Sequence, residues 1–175
     1  TRTDGWRQEV NAMGEVPVLE DGGKKLTQSA AIMLHLAERH GAYGGADADE
    51  RQEVLRWLFF DNHKFTSYLA TWRFMKSFAP TEPDPVLARW MRGRVDSAFA
   101  IVERHLSARD YLVGTAPTIA DMSLCGYLYF PVAESGYDLA TSHPNIERWL
   151  RRLQALPGWK GPYELLPGEA VAPRW

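Results

Sequence analysis

Apolar residues recur through most of this chain at spacings of three and four, the signature of helices with one buried face. The stretch before residue 41 is different. Residues 1–12 are polar and show no period. Glu15-Val16-Pro17-Val18-Leu19-Glu20-Asp21 then reads as a short strand, Asp21-Gly22 as a hairpin turn and Lys24-Lys25-Leu26 as the return strand. Pro17 has no N–H for a ladder, which places it at a strand edge or start. Thr27-Gln28-Ser29 leads into a helix whose apolar positions are Ile32, Met33, Leu36 and Ala37. Gly41 and the pair Gly44-Gly45 stop it.

After Asp47 the pattern is helical throughout. From Asp49 to Phe78 the residues Val54, Leu58, Phe65, Leu69 and Trp72 form one face of a single long helix. Pro80, Pro83 and Pro85 end it, and a second long helix turns Leu87, Met91, Val95, Ala98, Val102 and Leu106 inward. Thr118-Ile119-Ala120-Asp121 has the hydroxyl and carboxylate of a capping box. The run from Met122 to Ala133 is apolar on nearly every side and predicts the buried helix at the centre of a bundle. His143-Pro144 opens a further helix with Ile146, Trp149, Leu150, Leu153 and Leu156 inward, and a proline-rich tail ends at Trp175. The fold class is α+β in two domains: a β-hairpin plus helix over residues 1–41, a linker over 42–48, and an all-α helical bundle over 49–175.

A two-stranded hairpin with one helix is too small to be stable alone. A strand-helix-strand unit of roughly 30 residues upstream would complete its sheet. The chain opens on Thr1 rather than Met, so the expectation is that such a stretch is absent from this sequence.

Composition narrows the function classes. Of the 175 residues 45% are hydrophobic and 24% charged, ordinary for a globular protein. A net charge of -2 gives no general attraction to nucleic acid or to an anionic membrane. A single cysteine makes neither an internal disulfide nor a thiolate cage, which favours a cytoplasmic setting. His35, His40, His63, His105 and His143 share no metal-ligand spacing with acids or Cys125, so no metal is expected. Cys125 itself, within the most apolar stretch, reads as a small hydrophobe.

Three features carry candidate chemistry. Val16-Pro17 is either an edge-strand device or a cis bond that turns the Val16 backbone outward, free to pair with a peptide. Gln28-Ser29 stands at a helix start, where Ser29 or Thr27 either caps the helix or leaves a site for a carboxylate. Asp61 and Asn62 interrupt an apolar stripe, and either bond internally or meet a ligand or partner chain.

Taken in order, these pieces resemble the cytosolic glutathione transferase family. Asn11 to Gly22 is similar to that family's loop, cis-proline and third strand, and Thr27-Gln28-Ser29-Ala30-Ala31-Ile32 to its helix start. Trp57-Leu58-Phe59-Phe60-Asp61 resembles the first bundle helix of bacterial members, and Thr118 to Asp121 the capping box of the central helix. The resemblance implies a thioredoxin-like N-terminal domain, of which this sequence has part, a helical C-terminal domain and a homodimer. It implies glutathione as co-substrate: Val16, set by cis Pro17, pairs antiparallel with the cysteinyl residue, and Gln28 and Ser29 hold the γ-glutamyl end. Asp61 reaches the γ-glutamyl amine of a neighbouring subunit's ligand. Many members carry Lys or Gln at the position of Glu15, where a cation meets a glutathione carboxylate, and the acid here departs from that. The function implied is conjugation of the glutathione thiolate to small apolar electrophiles, a detoxification reaction of the cytoplasm. A non-catalytic binding module, or a glutathione-dependent reductase, isomerase or dehalogenase, would use the same scaffold. The Ser, Tyr or Cys that stabilises the thiolate is expected at the end of the first strand, upstream of Thr1, which leaves the catalytic residue unknown.

Overall fold

The computed structural model describes residues 1, 3–166, 168–169 and 171–175, so Arg2, Pro167 and Ala170, the last two in the proline-rich tail, lie outside the described residues. Strands β1 (Val18–Asp21) and β2 (Lys24–Thr27) pair antiparallel, with Val18 opposite Thr27 and Asp21 opposite Lys24. Gly22 and Gly23 close the hairpin at φ 56° and 78°, a tight turn that needs positive φ at both central positions. Pro17 stands just before β1, where its missing N–H costs no ladder bond. Residues 1–12 are not without structure: Asp4–Glu9 form a short helix, α1, with the Thr3 hydroxyl accepting from the Trp6 N–H at 3.3 Å. It buries no residue, and so imposes no apolar period on its sequence.

Helix α2 (Ser29–His40) follows and ends at Gly41. The bundle then comprises α3 (Ala48–Lys64), α4 (Thr66–Ser77), α5 (Pro85–His105), a 3-10 turn (Leu106–Ala108), α6 (Ile119–Cys125), α7 (Val132–Ser135), α8 (Leu139–Ser142), α9 (Pro144–Gln154) and α10 (Pro162–Leu165). Val54, Trp57, Phe65, Phe99, Val102, Leu124, Ile146 and Trp149 fill its centre, each at most 2% exposed. Burial of side chains this large stabilises by about 1.5–3 kcal/mol apiece.

Three expectations need correction. The helix expected over 49–78 is two helices, broken at Phe65. The Phe65 N–H is shared between the carbonyls of Phe60 and Asp61, at 3.2 and 3.1 Å, and the Thr66 N–H turns aside to the Asp61 carboxylate at 3.2 Å. The apolar run over 122–133 is not one buried helix. Helix α6 stops at Cys125, Met122 is 37% exposed and Val132 53% exposed. Gly126 and Pro131 both disfavour continuation, and the Leu128 N–H closes a turn on the Cys125 carbonyl. Leu87, expected inward, is half exposed in the first turn of α5, beside the Asp84 cap.

The capping box is present as expected. Asp121, fully buried, accepts from the Thr118 N–H at 2.8 Å and the Thr118 hydroxyl at 3.1 Å. It also takes the Leu112 N–H at 2.9 Å and the Trp149 indole N–H at 2.8 Å, which ties the 111–118 loop and α9 to the start of α6. Burial pushes its carboxyl above the ordinary carboxylate value, and the donors pull against that. Helix α2 packs on α6, and β2 on α2. Asp121→Ala leaves three buried N–H donors and the Thr118 hydroxyl without that acceptor, and should destabilise the fold by about 3–5 kcal/mol. The check is the urea midpoint at unchanged slope; a loss below about 1 kcal/mol contradicts this role.

Candidate functional site

The loop before β1 is folded around a buried side chain. Asn11, 7% exposed, donates from Nδ2 to the Glu15 carbonyl at 2.9 Å and accepts the Met13 N–H on Oδ1 at 3.0 Å. Its own carbonyl takes the Gly14 N–H at 2.8 Å. Gly14 lies at φ 71° with the Arg7 guanidinium across it, so close that a Cβ would stand 2.7 Å from its central carbon. This wrapping delivers Val16 outward. Val16 is 66% exposed, the peptide bond to Pro17 is cis, and its backbone N–H and C=O make no hydrogen bond among the described residues.

Register then brings the second element alongside. Since Val18 opposes Thr27, Val16-Pro17 and Gln28-Ser29 emerge at the same end of the hairpin. At the other end, Asp21 accepts from His35 Nε2 at 2.7 Å and pairs with Arg39, pinning the turn to α2. Those hydrogen bonds, His35's first, hold the Asp21 carboxyl below the usual carboxylate value.

Gln28 has φ 70°, a region that non-glycine residues seldom occupy and that clusters at functional sites. It precedes α2 without capping it; its side-chain amide donates instead to Glu15 Oε2 at 2.9 Å and to the Met13 sulfur at 3.2 Å. Neither Ser29 nor Thr27 caps the helix. The Ser29, Ala30 and Ala31 N–H groups have no acceptor among the described residues. An uncapped helix start leaves orphan donors and a positive dipole end open to solvent.

The structure thus brings Val16, Pro17, Gln28 and Ser29 together. Asp61 stands apart from them. It is 3% exposed inside the bundle, where it accepts the Ser123 hydroxyl at 2.5 Å and the Thr66 N–H at 3.2 Å. Burial raises its carboxyl above the ordinary value. Asn62 is exposed and donates back to the Leu58 carbonyl at 2.9 Å. Burial likewise pushes the Cys125 thiol up to about 12.

Sequence reading missed the Asn11 and Glu15–Gln28 contacts, although Asn11-Ala12-Met13-Gly14 carries a turn signal. It also missed a buried ion pair between Arg73 on α4 and Glu134 on α7. Glu134 is wholly buried and additionally accepts from the Tyr163 hydroxyl and the Val171 N–H, anchoring the tail. A cavity of about 700 Å³ opens at the far end of α2, lined by Leu34, Ala37, Tyr43, Val54, Leu55 and Pro117 among others. Its lining on α2 begins at Leu34, five residues and about 7.5 Å of helix rise beyond Ser29. No group of three or more potential metal ligands occurs among the described residues.

Comparison with known proteins bears on the architecture as a whole. The model for "Glutathione S-transferase, N-terminal domain" matches residues 2–38 and that for "Glutathione S-transferase, C-terminal domain" residues 70–157. Glutathione S-transferase F11 of Arabidopsis thaliana is 30% identical over 160 residues, covering 87% of this chain and 75% of that protein. A glutathione S-transferase structure from Xanthobacter autotrophicus Py2 superposes with a TM-score of 0.81 at 34% identity, over 91% of this chain and 77% of the other. Ure2p5 from Phanerochaete chrysosporium, cocrystallised with 1-(S-glutathionyl)-2,4-dinitrobenzene, shares the fold at a TM-score of 0.79 and 24% identity, over 90% of this chain and 77% of that one. Both halves of the architecture, in order and over nearly the whole sequence, place this chain in the glutathione S-transferase family, with that family's transferase function.

Proposed function

We propose that the hairpin end and the start of α2 form the glutathione-holding half of the transferase site. The observation that carries this is the juxtaposition of an uncapped helix start with the unpaired backbone of Val16. A tripeptide with a free γ-glutamyl carboxylate matches both. Its carboxylate meets the Ser29 hydroxyl and the orphan N–H groups of the first turn. Its cysteinyl backbone pairs antiparallel with Val16, as in strand addition to a free edge. Gln28 lies between them; its amide N–H groups go to Glu15 and Met13, which leaves its side-chain oxygen to accept from the γ-glutamyl ammonium. The glutathione conjugate carried by Ure2p5, a protein of the same fold, supports this ligand class. Asp61, with both carboxylate oxygens bonded inside the bundle, is given a structural part in this reading.

The acceptor is a small apolar electrophile, and the reaction detoxifies it in the cytoplasm. The chain divides at residues 42–48 into a glutathione-binding part, residues 1–41, and a helical part, residues 49–175. A homodimer is supported by large apolar side chains left open on the bundle surface, Phe59 at 74% and Trp90 at 49% exposure. Thiol exchange through Cys125 is disfavoured, because a thiol with a pKa of about 12 is almost wholly protonated at neutral pH.

Ser29→Ala should weaken glutathione binding about tenfold by calorimetry, the size expected for one charge-assisted hydrogen bond. Stability should move by less than about 0.5 kcal/mol, since the exposed hydroxyl caps nothing. Unchanged affinity contradicts the carboxylate site. Native Cys125 should react with iodoacetamide at pH 7.5 slower than the urea-unfolded chain by roughly a factor of thirty or more. Equal rates contradict the half-buried, protonated thiol.

A further inference from the structure

The loop entering β1 sets an acid where the proposed ligand has one of its own. Glu15 directly precedes Val16 and is exposed. When two strands run antiparallel, the residue before one partner faces the residue after the other. If Val16 pairs with the cysteinyl residue, Glu15 opposes the glycyl residue, which in glutathione ends in a free carboxylate. The acid is held in place there. Asn11 fixes the Glu15 carbonyl at 2.9 Å, and the Gln28 amide donates to its carboxylate at 2.9 Å. The nearby cations bond to backbone carbonyls and not to Glu15. Arg7 lies across Gly14 and donates to the Ala12 carbonyl at 3.3 Å. Lys25 donates to the Glu9 carbonyl at 2.6 Å and pairs with Glu20. No ion pair with Glu15 occurs among the described residues.

We propose that Glu15 is a specificity-determining residue, one that makes the site favour γ-glutamyl-cysteinyl thiols whose third residue bears no free carboxylate, such as an amide or an amine conjugate, over glutathione itself. This rests on the binding mode given above. Repulsion between exposed carboxylates is modest and falls with salt, which sets its scale at a few-fold in affinity.

The test is calorimetry on the full chain at low ionic strength, with glutathione and its C-terminal amide as probes. Wild type should bind the amide about three- to fivefold more tightly. Glu15→Gln should bring the two ligands within about twofold of each other, chiefly by tightening glutathione. Ser29→Ala should weaken both alike. Equal binding of the two probes by wild type, or a preference that survives Glu15→Gln unchanged, overturns the proposal even if Ser29→Ala behaves as expected. If Ser29→Ala leaves both affinities where they were, the binding mode itself fails and the proposal goes with it.

Discussion

Four donors converge on the carboxylate of Asp121: the Thr118 N–H and hydroxyl, the Leu112 N–H and the Trp149 indole. A buried charge is costly when bare, and its desolvation is offset only where every lone pair is met. Here the partners come from three separate parts of the chain. One carboxylate therefore fixes where α6 begins, how the 111–118 loop lies over it, and where α9 packs. Its removal would leave the loop and the indole without an acceptor in a dry interior, so these parts hold together or not at all.

The half proposed to hold glutathione inherits that order. Helix α2 has little core of its own, burying only Ile32 and Ala37, and it packs on α6. The hairpin in turn is tied to α2 through Asp21, His35 and Arg39 at one end. At the other end Glu15 and Met13 meet Gln28. The start of α2 is uncapped, and its neighbours hold it from the side. Gln28 takes a sparsely used backbone conformation and sends its amide sideways to the loop. The bundle thus provides rigidity, and the hairpin end presents unsatisfied groups.

How much of this was legible depends on the range of the interaction. Local signals read well. Asp21-Gly22 marked the hairpin, Gly41 the end of α2, and Thr118 with Asp121 the start of α6, because turn and cap chemistry acts within a few residues. The core positions Val54, Leu58, Phe65, Leu69 and Trp72 were also legible, since periodicity survives a local break. The break at Phe65 was not, because the Asp61 carboxylate that draws off the Thr66 N–H leaves the apolar period of the two helices unbroken. The early stop of α6 was hidden by a run of apolar residues that carries no period to contradict a helix. Arg73 and Glu134 lie 61 residues apart, with nothing in the sequence to join them. Of the candidate site, Val16, Pro17, Gln28 and Ser29 could be named from their order, and register then set them side by side. Asp61 could be named too, but burial places it in the bundle interior.

The central claim is that the chain holds its thiol ligand at the hairpin end of α2 and not in the large cavity at the opposite end. The most direct measurement is an amide chemical-shift titration of the isotope-labelled chain with glutathione. Saturable shifts concentrated at Val16, Ser29 and Ala30, with Ala42, Gly44 and Ala116 unmoved, are the predicted result. Shifts concentrated around Ala42, Gly44 and Ala116, with the start of α2 unmoved, would contradict it.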